Sequence, residues 1–218
     1  MIAEYISARS KLPREEVEWM GRVAEHRVLG RGEAFCRIGQ TRHEFGFLLD
    51  GILQVYGVSS RGDKVVLDLI FPGTFALAMS GASRGLPADA CIEAVTACTL
   101  KVWPYELRHT AFARHAEWLR LGLRMAEDSF NQKHQRYLAM RVLSAEERYA
   151  KMARELPRSW QLIPQHLVAS YLGITPQYLS RIKRAHQAVA RARARKDQGT
   201  QAGVAGRTGS ANVLESAE

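Results

Sequence analysis

Residues 167–184 read LVASYLGITPQYLSRIKR, and this stretch decides the fold of the C-terminal part of the chain. Apolar side chains recur at helical spacing on both sides of one glycine, at Val168, Leu172, Ile174, Leu179 and Ile182. Gly173 can adopt the positive φ that closes a tight turn, and Thr175 with Pro176 suits the start of a second helix. We therefore predict one helix over residues 164–172 and another from 175 to about 186, joined as a helix-turn-helix.

The second of these helices has the side chains of a DNA-recognition helix. With Leu179 and Ile182 facing inward, it presents polar and basic residues outward. Arginine pairs with the guanine edge and glutamine with the adenine edge, whereas Lys183 and Arg184 suit phosphates. The predicted DNA-binding residues are Gln165, Thr175, Pro176, Gln177, Tyr178, Ser180, Arg181, Lys183 and Arg184.

The net charge supports a polyanionic partner. The 218 residues carry a formal net charge of +9, yet residues 1–104 contain 12 acidic and 12 basic side chains. The whole excess therefore lies in the C-terminal half, where residues 156–196 contain eight cations and no acid. Such a distribution indicates two functional halves, the second of which binds a polyanion.

The N-terminal half has the sequence pattern of an antiparallel β domain. Residues 13–25 predict a short helix, and short apolar runs cut by turn signals follow: FGFLL, ILQVYGV, KVVLDLIF and CTLKVW. Strands of this length and spacing predict a sandwich or barrel, with a hairpin turn at Gly62-Asp63. The three cysteines, Cys36, Cys91 and Cys98, have no metal-ligand spacing and are expected to be buried or free thiols.

A helical pattern returns over residues 105–140. Alternating steps of three and four select Ala116, Leu119, Leu123, Ala126, Phe130, Lys133, Tyr137 and Met140. This a/d seam predicts a dimer interface made by all of them except Lys133, which would interrupt it; a helix packed inside its own domain is the alternative. Trp118, Leu121 and Met125 lie on another face.

Two further segments complete the chain. Residues 144–156 predict a helix with Ser144 as N-cap, ended by Pro157. Residues 160–163 are the expected place for a small β element ahead of the helix-turn-helix. From about residue 197 the composition is that of a low-complexity, disordered segment.

The motif IPQHLVASYLGITPQYLSRIKR resembles the winged helix-turn-helix of the cyclic-AMP-receptor-protein/FNR (Crp/Fnr) family of bacterial transcription regulators. Residues 45–75 resemble that family's β-roll, and residues 115–140 its dimerisation helix. The resemblance implies an α+β fold with an N-terminal antiparallel β-roll (a cyclic-nucleotide-binding-like jelly roll), a long dimerisation helix and a C-terminal winged helix-turn-helix. The domains implied are residues 1–112, 113–142 and 143–190, followed by a basic and then low-complexity tail over 191–218.

Two regions depart from the family pattern. The recognition helix of the family often reads Glu-x-x-Ser-Arg, and here Gln177 replaces the acid while Ser180 and Arg181 are kept. This replacement shifts the preferred partner from a cytosine amino group toward adenine or another mixed donor/acceptor edge. Where cyclic-nucleotide binders carry the Arg-Ser/Thr pair that grips the phosphate, this chain has Ala88 and Asp89. A carboxylate repels a phosphate, so we do not expect cyclic AMP to bind, and the effector is unknown.

The implied partners are double-stranded DNA, a second copy of the chain and, as a further candidate, RNA polymerase. No cofactor or metal ligand set is identified, since residues 1–35 lack the cysteine cluster of FNR-like members. The N-terminus does not read as a signal peptide and no apolar run is long enough to span a membrane, so a cytoplasmic location is expected.

Two other function classes compete with this interpretation. One is a small-molecule-binding signalling module whose basic C-terminus, including an Ala-Arg run at 188–196, binds RNA or an acidic partner. The other is an enzyme, but the sequence contains no P-loop or HExxH motif that would indicate catalysis.

Overall fold

A computed structural model describes residues 1–186 and 188. The tail predicted over residues 191–218 lies outside the described residues. The chain divides into two compact units, Met1–Gly173 and a second that begins at Ile174.

The first unit contains two four-stranded antiparallel sheets. Its elements begin with α1 (Ile2–Ser7), α2 (Arg14–Arg22), β1 (Glu25–Leu29), β2 (Ala34–Cys36), β3 (Glu44–Asp50), β4 (Leu53–Val58), β5 (Lys64–Ile70) and β6 (Phe75–Ala76). They continue with α3 (Met79–Arg84), β7 (Cys91–Ala94) and β8 (Cys98–Pro104). One sheet has the strand order β1-β8-β3-β6 and the other β2-β7-β4-β5, which confirms the predicted antiparallel β fold.

The helices that follow connect the sheets to the C-terminal segment. They are α4 (Leu107–Arg114), α5 (Ala116–Val142), α6 (Ala145–Glu155), a 3-10 helix (Arg158–Leu162) and α7 (Gln165–Leu172). The second unit contains α8, which covers residues 176–186. No helix among the residues described is long and apolar enough to cross a membrane.

The predicted hairpin joins β4 and β5. Val58 pairs with Lys64, and the intervening turn is closed by a hydrogen bond from the Ser59 amide to the Asp63 carbonyl. Gly62 has a φ of 87°, a value that a residue with a Cβ rarely adopts. The glycine therefore sits where the turn requires it.

Two apolar cores hold the first unit together. The first fills the space between the two sheets and includes Leu48, Ile92 and Leu100. The second packs α1, α2 and one face of α5 on the outside of the β1-β8-β3-β6 sheet, around Phe47 and Trp103. Cys36, Cys91 and Cys98 are buried free thiols, as the sequence predicts.

Three local predictions are wrong in detail. The helix predicted over residues 13–25 ends at Arg22, because Glu25 pairs with Val102 in β1. The helical pattern from residue 105 divides at His115, whose extended backbone and ring nitrogen, which accepts from the Glu117 amide, begin α5. Residues 160–163 lie in and after a 3-10 helix instead of a β element.

The 3-10 helix has a clear physical cause. Pro157 fixes an extended entry, and its carbonyl accepts a hydrogen bond from the Trp160 amide. The buried indole of Trp160 then packs edge-on against the ring of Tyr149 on α6, with the ring centroids 6.1 Å apart. Burial of this one aromatic side chain favours the turn over an extended strand.

Candidate nucleic-acid interface

The start of α8 is fixed by the Thr-Pro pair. The Thr175 hydroxyl accepts a hydrogen bond from the Tyr178 amide at 3.2 Å, and its carbonyl accepts from the Leu179 amide. Pro176 is the first helical residue, where its missing N–H costs nothing. The amide of Gln177, which takes part in neither of these bonds, can donate to a phosphate.

The outward surface of α8 is polar and basic. Leu179 and Ile182 are 0% and 3% exposed, as the sequence predicts. Gln177, Arg181 and Arg184 are exposed, and their spacing of four and three residues places them along one face. The other predicted contacts on this helix are exposed or partly exposed: Thr175, Pro176, Tyr178, Ser180 and Lys183.

A contact between Tyr178 and Arg181 was missed by sequence reasoning. The guanidinium carbon of Arg181 lies 4.9 Å from the centroid of the Tyr178 ring. The aromatic face attracts the cation and limits its rotamers, so the guanidinium is partly oriented. The spacing of three residues on one helix is the signal that predicts it.

Gln165 is the predicted contact that lies in the first unit. It is exposed and is the first residue of α7, which follows Pro164. The opposite end of α7 stops at Gly173, whose φ of 67° confirms the predicted left-handed turn. Val168, Ala169 and Leu172 are buried, so α7 is anchored by its apolar side while its N-terminal residue faces water.

The a/d seam predicted on α5 is an exposed apolar face. Leu123 is 59% exposed and Phe130 is 69% exposed, whereas Trp118 and Leu121 are buried in the core that packs on the sheet. The other predicted interface residues also face water: Ala116, Leu119, Ala126, Tyr137 and Met140. One side of this 27-residue helix is therefore packed within the chain, and the other exposes its apolar side chains.

Lys133, the polar interruption of the seam, has a partner that the sequence does not predict. Its ammonium lies 3.3 Å from the Asp68 carboxylate on β5. The strand and the helix are far apart along the chain, so spacing alone cannot reveal the pair. The contact draws the cation away from the apolar seam and toward the β domain.

The phosphate-gripping position of the family does not fit a cyclic nucleotide here. The Ala88 side chain is 2% exposed and belongs to the core between the sheets. Its amide and carbonyl are bonded to the backbone of Gln40 and Gly39, so this backbone is already satisfied. Asp89 beside it is acidic and exposed. An apolar methyl and a carboxylate offer a cyclic phosphate neither a cation nor a hydroxyl.

Comparison with known proteins agrees with the two-sheet architecture. Residues 26–115 match the family described as cyclic nucleotide-binding domain. FixK2 from Bradyrhizobium japonicum matches with a TM-score of 0.66 at 17% identity, over 77% of this chain and 86% of that one. The β domain has the jelly-roll fold of the Crp/Fnr proteins.

Two further structures support the same assignment of fold. A putative Crp/Fnr-family transcriptional regulator from Eubacterium rectale has a TM-score of 0.66 and 17% identity, over 85% of this chain and 88% of that one. A putative cAMP-binding regulatory protein from Silicibacter pomeroyi has a TM-score of 0.58 and 22% identity, over 86% of both chains. A comparison with curated proteins finds no match. The resemblance to the Crp/Fnr regulators is thus confirmed at the level of the fold.

Proposed function

We propose that this chain is a homodimeric, sequence-specific DNA-binding transcription regulator of the Crp/Fnr type. In this proposal, α7 and α8 form a helix-turn-helix, and α8 reads each half of a palindromic operator. The observation that carries it is the basic outer face of α8, which starts at a threonine cap and carries Gln177 and Arg181 in its first turns. Helices that read the major groove place such residues at base edges.

The homodimer is the second part of the proposal. It is supported by the exposed apolar seam of α5, because soluble chains rarely leave such a continuous apolar stripe in water. A two-fold axis along this helix would hold two copies of α8 for half-sites about one helical turn apart.

Substitution of Arg181 by Ala tests base reading. We expect it to weaken binding to the preferred operator by about 1–3 kcal/mol and to relax selectivity at one base pair, because a bidentate contact to a base edge is lost. Fluorescence anisotropy with operators mutated one position at a time measures both effects. Arg184→Ala is the matched control, since loss of a phosphate contact should weaken binding equally on every sequence.

Two other results would contradict the role proposed for α8. If Arg181→Ala weakens binding to all sequences alike, its guanidinium contacts phosphate only. If structured RNA competes as well as operator DNA at physiological salt, the basic surface does not select DNA. Salt must be held constant throughout, because phosphate contacts release counterions and make every affinity depend on ionic strength.

Cyclic AMP should not change the thermal stability of the protein. A ligand present at 1,000 times its dissociation constant would stabilise the fold by about 4 kcal/mol, which for a chain of this size raises Tm by roughly 8–16 °C. Because Ala88 and Asp89 replace the phosphate grip, we expect no shift in Tm at millimolar cyclic AMP, with linear AMP as the control. A saturable shift with cyclic AMP alone would contradict this account of the β-roll.

A further inference from the structure

The C-terminal turn of α7 is held by two arginines. Arg136 on α5 donates from Nη2 to the Tyr171 carbonyl at 2.9 Å, and its guanidinium carbon lies 3.7 Å from the centroid of the Tyr171 ring. Arg148 on α6 donates from Nε to the Leu172 carbonyl at 3.1 Å. Carbonyls in the last turn of a helix lack intrahelical partners and carry the negative end of its dipole, so guanidinium groups are suited to them.

Arg136 also contacts the β domain. Its Nη1 lies 3.5 Å from Oδ1 of Asp68 on β5, and its Nη2 lies 3.5 Å from the Val66 carbonyl. These contacts are longer than the one to Tyr171, yet they place β5, α5 and α7 around one side chain. Among the described residues, no other arginine forms hydrogen bonds that join these three elements.

A serine of α7 makes an independent contact with the same strand. Ser170 Oγ accepts a hydrogen bond from the Val66 amide at 2.9 Å. β5 is an edge strand of its sheet, so an outward N–H of this strand has no neighbouring strand to bond. The hydroxyl of α7 supplies the missing acceptor.

The burial of Arg136 makes these contacts consequential. Its side chain is 24% exposed, and burial lowers the pKa of the guanidinium from its ordinary value. A guanidinium that is mostly buried needs hydrogen-bond acceptors, because each N–H without one would carry a desolvation cost. Removal of any one of the three elements from this junction therefore leaves the charge poorly compensated.

We propose that Arg136 and Ser170 form a clasp that ties α7 to the edge strand β5, so that a displacement of β5 changes DNA binding. The proposal rests on the DNA-binding function proposed above. Arg136 is a positioning residue in this scheme, because it acts on α7 and not on a base. The clasp holds the C-terminal end of α7 and leaves Gln165 at the other end exposed, so it restrains the helix without covering its predicted DNA-facing residue. Its loss should weaken operator binding.

Two variants test the clasp by two readouts. Arg136→Gln and Ser170→Ala should each speed amide hydrogen exchange in the peptide that contains Val66, by about fivefold for loss of one hydrogen bond. Operator affinity should fall by about fivefold or more in Arg136→Gln, the scale of a typical coupling between sites. Arg120→Gln is the matched control, because this exposed arginine of α5 pairs only locally with Glu117.

The outcomes separate the clasp from the proposed function. Unchanged exchange at β5 in both variants overturns the clasp. Faster exchange with operator affinity within twofold of wild type overturns the coupling to DNA. Wild-type protein that binds no DNA selectively overturns the proposed function, and the coupling with it, whatever the exchange shows. Ser170→Ala, which removes one hydroxyl, keeps the test valid should Arg136→Gln fold poorly.

Discussion

The double variant Leu123→Glu/Phe130→Glu is expected to sediment as a monomer and to lose at least about 100-fold in operator affinity. Both side chains belong to the exposed apolar seam of α5, and in a two-fold dimer each would meet its counterpart. Two carboxylates per chain would have to be buried beside two more, without a compensating cation. Without the dimer, each half-site is bound separately, and the gain of roughly 10²–10⁴ from linked binding is lost.

The control places a glutamate elsewhere on the helix. Gln135 is exposed on α5 and is not a seam position, so Gln135→Glu should remain dimeric with unchanged affinity. Sedimentation velocity at about 10 μM and anisotropy with the selected operator measure the two effects. A double variant that is still dimeric would mean that the seam packs against something other than a second copy.

The second large effect is expected on stability, from Gly51→Ala. Gly51 joins β3 to β4 with a φ of 93°, and a Cβ there would lie 2.2 Å from the Ala97 carbonyl oxygen and 2.6 Å from the Cys98 sulfur. The backbone conformation alone costs an L-residue about 1–2 kcal/mol. The clash with buried atoms adds about 1–3 kcal/mol more. We expect a loss of roughly 2–5 kcal/mol, or failure to fold.

Gly62 provides a control for the backbone part of this cost. It has a similar φ of 87°, but a Cβ would meet nothing within 4 Å. Gly62→Ala should therefore lose only about 1–2 kcal/mol. Urea unfolding followed by tryptophan fluorescence compares the two variants. Equal losses would show that the approach of Ala97 and Cys98 to Gly51 does not constrain the β-roll.

Much of the architecture could be predicted because local chemistry and tertiary structure agree. Ser144 begins α6 with a reciprocal capping box to Glu147, and Gly173 ends α7 in the left-handed region. Thr175 caps α8, and Gly62 closes the β4–β5 hairpin. In each case one residue type satisfies a backbone requirement that its neighbours create, so a short window of sequence contains the whole signal.

Sequence reasoning missed both local contacts and contacts between residues that are far apart in the chain. The 3-10 helix at Arg158–Leu162 is stabilised by Trp160 against Tyr149, and the division at His115 depends on its ring and the packing of α5. The pairing of Lys133 and Arg136 with Asp68 joins residues about 65 apart. No periodicity carries such information, because strand β5 reaches α5 only through the fold.

The expected lack of cyclic AMP binding follows from the sequence and the structure of Ala88 and Asp89 together. The sequence places Ala88 and Asp89 where a phosphate grip would be, but it cannot show where their side chains lie. The structure puts the Ala88 methyl in the core between the sheets and leaves Asp89 exposed. These two residues supply neither a cation nor a hydroxyl, and the Ala88 methyl lies among apolar side chains. Both observations support a β-roll that does not respond to cyclic AMP.

Selection of bound duplexes from a random DNA library, at roughly physiological salt, tests the central claim most directly. The account predicts a palindrome whose half-sites are about one helical turn apart, bound by two chains per duplex in multi-angle light scattering. It further predicts that the selected sequence outcompetes bulk DNA by at least about 1,000-fold. Recovery of no common sequence, or one chain per duplex, would contradict it.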